Sequence, residues 1–126
     1  MPKGHEFDDG VFQGDLTNGK RHGFGIFTYL DGRVYKGQWK DDKRHGDGKL
    51  EYSNGSFYEG EFKNDLEHGD GIFVFDDGAR YEGCYYKGKR EGRGKRIFKE
   101  GEVYEGQYCD DKRNGHGKYT DRKSVV

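Results

Sequence analysis

The sequence predicts an all-β fold, an elongated single-layer antiparallel β-meander of about five 23-residue hairpin repeats and about ten strands. The main observation is an aromatic residue followed two positions later by glycine, recurring every 23 residues. The five occurrences are Phe12-Gln13-Gly14, Tyr35-Lys36-Gly37, Tyr58-Glu59-Gly60, Tyr81-Glu82-Gly83 and Tyr104-Glu105-Gly106. A fixed period of this length is typical of repeat arrays in which each unit contacts mainly its neighbours.

The second repeat shows why each unit is predicted to be a pair of strands. Residues 35–39 and 46–52 both alternate aromatic, apolar or glycine positions with polar ones, which is the period of a β-strand. Residues 40–45 form a polar break between them, and Asn54-Gly55 supplies a strong signal for a tight turn. Equivalent turn pairs occur at Asp9-Gly10, Asp31-Gly32, Asp77-Gly78 and Glu100-Gly101.

Glycine content excludes helices and predicts how the sheet packs. Several glycines in every unit would each cost about 1 kcal/mol inside a helix. The alternation places Tyr35, Gly37 and Trp39 on one face of the sheet, where aromatic rings can cover glycine backbone. Two glycine columns are expected to form the floor under these rings: Gly23, Gly46, Gly69, Gly92, Gly115 and Gly25, Gly48, Gly71, Gly94, Gly117.

The repeats divide the chain almost completely. Residues 1–11 resemble the end of a preceding unit shortened by one residue, and residues 122–126 form a C-terminal tail. The array between them spans residues 12–121, with units at 12–34, 35–57, 58–80, 81–103 and 104–121. The fourth unit places Arg96 where its neighbours have Phe27, Leu50 and Phe73, and the sheet is expected to end near Tyr119.

Composition limits the classes of function. The chain has 126 residues, of which 37% are charged and only 29% hydrophobic, so its 10 Tyr, 9 Phe and 1 Trp must supply most of the folding drive. A net charge of −1 gives no reason to expect nucleic-acid binding. No apolar run approaches the length of a membrane span or a signal-peptide core. A cytoplasmic location is therefore expected, and Cys84 and Cys109 are interpreted as free thiols.

The repeating unit resembles a known family. Segments such as Tyr58-Glu59-Gly60-Glu61-Phe62 followed by His68-Gly69-Asp70-Gly71 and Asp77-Gly78 are similar to MORN repeats (membrane occupation and recognition nexus). The resemblance implies a twisted single-layer sheet of hairpins. It also implies the functions of related repeats in junctophilins, radial-spoke proteins, plant phosphoinositide kinases, parasite cytoskeletal scaffolds and myosin-tail binders, which are protein binding, oligomerisation or lipid association.

The aromatic face is the first candidate site. A single-layer sheet has no second layer to cover its rings, and a large apolar patch usually marks an interaction surface. An extended or helical peptide could lie in such a groove; the alternative is that the rings and glycines cover one another. The predicted groove residues are Phe12, Tyr35, Trp39, Tyr52, Tyr58, Phe62, Phe75, Tyr81 and Tyr85.

The hairpin ends within the repeats carry a second candidate site. Their segments sum to a charge of +4, whereas the opposite edge of the sheet sums to −5. Cations in a row can contact anionic lipid headgroups, at about 1 kcal/mol each, although solvated turn charge explains the same pattern. The residues concerned are Lys20, Arg21, Lys43, Arg44, Lys89, Arg90, Lys112 and Arg113.

Other chemistry is not predicted. The recurring His22, His45 and His68 would lie about 10 Å apart and could not share a metal ion. No serine has a histidine-supported arrangement, so neither a catalytic nor a cofactor site is expected. The C-terminal Ser124 and Val126 resemble a ligand for PDZ domains, which add such a tail as a strand.

These observations favour a non-catalytic adaptor or scaffold that binds a protein partner through the aromatic-glycine groove. The family resemblance implies a cytoskeletal, ciliary or motor-associated setting, with homo-oligomerisation as a further option. The alternative is a peripheral membrane module that binds anionic phospholipid through the basic hairpin end.

Overall fold

A single antiparallel sheet accounts for the whole of the chain that the structure describes, residues 4–121 of a computed structural model. Its eleven strands follow one another in chain order, each hydrogen-bonded to the next. They are β1 Gly4–Phe7, β2 Gly10–Thr17, β3 Lys20–Tyr29, β4 Val34–Lys40, β5 Lys43–Glu51, β6 Phe57–Lys63, β7 Leu66–Val74, β8 Arg80–Tyr86, β9 Lys89–Ile97, β10 Val103–Cys109 and β11 Lys112–Thr120. The predicted all-β meander is confirmed.

The N-terminal residues add a strand that the estimate of about ten did not include. Strand β1 pairs with β2 across a two-residue turn, with Phe7 opposite Gly10. The shortened partial unit therefore still completes a hairpin. At the other end, β11 runs to Thr120, one residue beyond the predicted end at Tyr119.

Left-handed turn residues close the hairpin within each repeat. In the second repeat Asp41 and Asp42 connect β4 to β5 with φ of 49° and 72°. Two successive positive φ values match the twist of antiparallel strands, and Asp and Asn tolerate them better than most residues. The same geometry recurs at Asn64 and Asp65.

A register shift follows each of these turns and changes the role of one glycine column. Gly37 faces Gly48 and Trp39 faces Arg44, so one residue of β4 lies opposite three of β5. Gly46 lies in this irregularity with φ of +87°, and only the Gln38 side chain lies near its Cβ direction. The prediction that this column forms a floor under the rings is therefore wrong, because these glycines serve backbone conformation.

The other predicted column does form the floor. The Tyr35 ring covers the paired Gly37 and Gly48, and a Cβ on Gly48 would collide with that ring. The Tyr35 hydroxyl donates a hydrogen bond to the backbone oxygen of Gln38 at 2.8 Å. Tyr58, Tyr81 and Tyr104 repeat this arrangement over their own glycine pairs.

Edge-to-face ring contacts join the repeats into one core. Tyr35 packs against Trp39 of its own repeat and Phe62 of the next, both at 5.2 Å between centroids and nearly perpendicular. Tyr58 continues the series with Phe62 at 5.0 Å and Tyr85 at 5.1 Å. Such contacts add to the area that the rings bury, so one face of a single layer supplies the core.

Candidate partner-binding face

Most of the predicted groove residues form the core. We call the side of the sheet that bears Phe12, Tyr35 and Tyr58 the aromatic face. Seven of the nine predicted residues are at most 8% exposed: Phe12, Tyr35, Trp39, Tyr58, Phe62, Tyr81 and Tyr85. The interpretation of these seven as an open apolar patch needs correction, because each ring is covered by neighbouring rings and by the glycine pairs. Contact with a partner on this face stays a prediction, and it now depends on the more accessible residues around these seven.

The accessible part of the aromatic face is a column of half-buried rings beside the core. Predicted Tyr52 and Phe75 belong to it, and sequence reasoning missed the other members. The column consists of Phe7, Tyr29, Tyr52, Phe75 and Phe98, one from each successive hairpin. Phe73 lies next to it, with its ring centroid 4.7 Å from that of Phe75. The 23-residue spacing from Tyr29 to Phe98 was the available signal for this column.

Arginine–aspartate pairs connect successive hairpins on this face. Arg44 donates its backbone N–H to Asp65 Oδ1 at 2.9 Å and its Nη2 to the Asp65 backbone oxygen at 2.7 Å. Its guanidinium lies 5.3 Å from the Phe62 ring centroid and 5.9 Å from that of Tyr35. The same pairing joins Arg21 to Asp42 and Arg90 to Asp111, each across 21 residues. We call these contacts the inter-hairpin ties.

The ties alter the interpretation of the basic row. Arg21 and Arg44 have side chains only 14% and 13% exposed, and Arg90 is partly buried as well. The sequence offered these arginines as possible contacts for anionic lipid, but their side chains face inward because stacking on rings and pairing with a carboxylate hold them there. Arg113 is exposed with its guanidinium 5.3 Å from the Tyr104 ring. The exposed lysines of the row are Lys20, Lys43, Lys89 and Lys112.

The third repeat departs from this pattern. Glu67 occupies the position of the paired arginine, and Gly88 occupies that of the aspartate 21 residues later. The backbone contact between them is kept, since the Gly88 N–H donates to the Glu67 backbone oxygen at 2.8 Å. A cavity of about 220 Å³ opens here, lined by Glu67, Gly88, Phe73, Phe75, Tyr81, Tyr85, Arg90 and Asp111.

A second cavity on the aromatic face is basic. Its volume is about 400 Å³, and its lining includes Arg96 and Arg113 together with Phe98. Arg96, the predicted break in the inner pattern, places its guanidinium 4.2 Å from the Phe75 centroid and 5.0 Å from that of Phe98. Burial lowers the pKa of this arginine from its ordinary value. The fourth repeat therefore replaces an apolar core side chain by a stacked cation.

Burial also makes the hydroxyls of the core tyrosines less acidic. It raises the pKa of Tyr35, Tyr58 and Tyr81 above the ordinary value of tyrosine, and that of Tyr85 as well. The carboxylate of Glu67 adds to this rise for Tyr58 and Tyr85. These hydroxyls are neutral donors at physiological pH, which suits the backbone carbonyls that three of them meet.

The opposite face of the sheet carries scattered apolar side chains among charges. Phe24 is 61% exposed and Ile72 is 41% exposed. Phe24 lies beside Lys36, Asp47 and Lys49 in one shallow cavity, and Ile72 lies among acidic residues in another. This face supplies suitable control positions for any test of the aromatic face.

The remaining predicted features concern the cysteines, metal binding, membrane spans and the C-terminal tail. Cys84 and Cys109 are free, as predicted; burial and a 3.6 Å contact with Asp70 raise the pKa of the Cys84 thiol. Within residues 4–121, no group of three or more His, Cys, Asp or Glu side chains is arranged to hold a metal ion. The same residues include no helix long and apolar enough to cross a membrane. The PDZ-ligand hypothesis for Ser124 and Val126 concerns residues outside those that the structure describes.

Comparison with known proteins agrees with the repeat geometry. A search of curated proteins finds no match for the chain. The family model described as MORN repeat matches five times, at residues 12–32, 35–57, 58–80, 81–103 and 104–124. Each match begins one or two residues inside the first strand of one hairpin, and together the five matches cover nearly the whole chain. The chain therefore belongs to the MORN-repeat family.

Proposed function

We propose that this protein is a non-catalytic adaptor that binds a protein partner on its aromatic face. The observation that carries this proposal is the column of half-buried rings defined above, which runs along the sheet beside a fully covered core. Rings that are partly accessible on a rigid support offer apolar area at a small cost in side-chain entropy, as is common in binding surfaces.

The buried core rings and the partly exposed column rings have different roles on this face. The buried rings, such as Tyr58, hold the hairpins in register, whereas Tyr52 and Phe75 retain surface that a partner can cover. An extended or helical segment lying along the column would cross several repeats. Family membership supports binding as the general role, and the resemblance to scaffold and motor-binding relatives favours a cytoskeletal, ciliary or motor-associated partner.

Matched surface variants on the two faces test this proposal. Tyr52→Ser with Phe75→Ser should remove partners recovered by quantitative affinity purification, whereas Phe24→Ser with Ile72→Ser should retain them. Melting curves of all variants confirm folding first. If only the Phe24→Ser with Ile72→Ser variant loses these partners, or if both variants keep them, the aromatic face is rejected as the binding surface.

The exposed lysines of the basic row support a second candidate function, which is contact with anionic lipid. Lys43 and Lys112 are exposed, but Lys89 lies 3.4 Å from Asp110 and the three tied arginines face inward, so fewer cations are available than the sequence indicated. Co-sedimentation with phosphatidylserine vesicles should be weak and should disappear above about 0.15 M salt. Strong binding that a Lys20, Lys43 and Lys112 charge reversal abolishes would favour the lipid function instead.

A further inference from the structure

The third repeat lacks a guanidinium that three other repeats supply from their own chain. In those repeats an arginine lies over two or more aromatic rings and pairs with an aspartate of the next hairpin turn. Position 67 is glutamate and position 88 is glycine, so both members of the tie are missing. The backbone around them is unchanged, because the inter-hairpin hydrogen bond and the left-handed turn are kept.

The aromatic surroundings of the missing guanidinium are also kept. Arg44 lies near the rings of Tyr35 and Phe62, which are nine residues before it and eighteen after it. The residues at the same spacing from Glu67 are Tyr58 and Tyr85, whose ring centroids are 5.1 Å apart in the same edge-to-face geometry. The two rings that correspond to those around Arg44 are therefore in place, but position 67 supplies no guanidinium.

The charge at this place favours a cation from outside. The partly buried Glu67 carboxylate is accompanied by no ion pair within residues 4–121. Its electrostatic influence reaches the hydroxyls of Tyr52, Tyr58 and Tyr85, whose pKa values it helps to raise. Arg90 lines the same cavity, but its guanidinium is bonded to Asp111 at 3.2 Å and 2.6 Å.

We infer that the cavity beside Glu67 and Gly88 binds an arginine side chain of the protein partner. The guanidinium would stack on the Tyr85 ring, which lines the cavity, and pair with the Glu67 carboxylate, in the place where neighbouring repeats hold their own arginine. A planar guanidinium fits because it combines ring stacking with directional bonds to a carboxylate, which a lysine ammonium does not. This inference rests on the proposed function, since it names the side chain by which the partner is recognised.

A small guanidine probe tests the site on the intact protein. N-acetyl-arginine methylamide is titrated into the isotope-labelled chain and followed by NMR, with N-acetyl-lysine methylamide as the comparison. Saturable shifts should be confined to the rings around Glu67 and be weaker for lysine. Glu67→Gln should weaken arginine binding about tenfold, the effect expected for one charge-assisted contact. The matched control, Glu59→Gln on the opposite face of β6, should leave it unchanged.

A second variant closes the site from within. E67R combined with G88D restores the arginine and aspartate of the neighbouring repeats. Gly88 already has φ of +85°, and a Cβ there meets only ordinary contacts, with Leu66 at 3.6 Å and Glu67 at 3.8 Å. This double variant should fold and lose saturable arginine binding. Equal shifts from arginine and lysine, or unchanged affinity in Glu67→Gln or in the closed variant, would overturn the inference.

The two proposals can fail separately. If partners still bind E67R/G88D with full affinity but are lost from Tyr52→Ser with Phe75→Ser, the adaptor function stands and the arginine site is rejected. If the arginine probe binds as described while no partner depends on the aromatic face, the site stands and the proposed function is rejected.

Discussion

Asp65→Asn and Arg44→Met, each alone and both together, measure what one inter-hairpin tie contributes to stability. Asparagine keeps the size of the side chain, its acceptor oxygen and the tolerance for the φ of +72° at this turn. Methionine keeps the apolar stem of Arg44 over the rings. The double-mutant cycle therefore isolates the charge-dependent part of the tie.

The structure sets the expected magnitude. The Arg44 Nε to Asp65 Oδ1 distance is 3.4 Å, and the two side chains are 13% and 46% exposed. Exposed ion pairs contribute about 0–1 kcal/mol, and hydrogen bonds to charged groups about 1.5–3 kcal/mol. Because the aspartate is half in water and its backbone oxygen still accepts from Arg44 after substitution, we expect a coupling energy of about 1 kcal/mol.

Urea denaturation is the appropriate assay, since guanidinium would compete for the same rings and carboxylates. Asp41→Asn is the matched control, because Asp41 is an exposed residue of the preceding turn with φ of 49°; its effect should stay within about 0.5 kcal/mol. A coupling energy below about 0.3 kcal/mol would refute the reasoning and show that ring stacking and the hydrogen bond to the Asp65 backbone oxygen hold Arg44 without help from the carboxylate charge.

Two further results are expected. Gly71→Ala should lower the free energy of unfolding by about 3 kcal/mol, the upper end of the usual cost of overpacking, because the new methyl group would collide with the Tyr58 ring. Gly55 has open space in its Cβ direction and φ of +95°, so Gly55→Ala should cost only about 1–2 kcal/mol. Equal losses for the two variants in urea denaturation would contradict the assignment of Gly71 to the glycine floor under the rings. Burial alone raises the pKa of the Asp42 carboxyl, but hydrogen bonds from the facing arginine outweigh it and lower the pKa. A carboxyl whose pKa is lowered in the folded state stabilises the fold at pH values above its ordinary pKa of about 3.9, and this stabilisation is lost as the pH falls through the folded-state pKa. The stability difference between the natural chain and Asp42→Asn should therefore shrink below about pH 4. A difference that stays constant with pH would contradict this assignment.

The aromatic face shows how far sequence reasoning reached and where it stopped. Period-two alternation correctly placed Tyr35, Trp39 and Leu50 on one side of the sheet, and that side is buried. It could not show how completely the rings cover one another, since edge-to-face contacts between repeats depend on side-chain directions across strands. The accessible column was therefore recognised only at Tyr52 and Phe75.

The basic row shows a different limit. Lys43-Arg44 is a charge pair at a turn in the sequence, and nothing local separates an exposed lysine from a tied arginine. The separation arises because Arg44 and Asp65, 21 residues apart, belong to successive hairpins that lie side by side. Pairing of arginine and aspartate at that spacing in three repeats was present in the sequence as a signal.

By itself, the sequence determined the repeat, the strand period, the turn positions and the family, because these depend on local backbone preferences and a constant spacing. Only the tertiary structure decided which rings are core and which glycines serve conformation. It also showed that arginines face inward and that Glu67 and Gly88 leave a cavity where their neighbours form a tie. These features depend on contacts between residues of adjacent hairpins, whose geometry is set by sheet register and by the register shift after each turn.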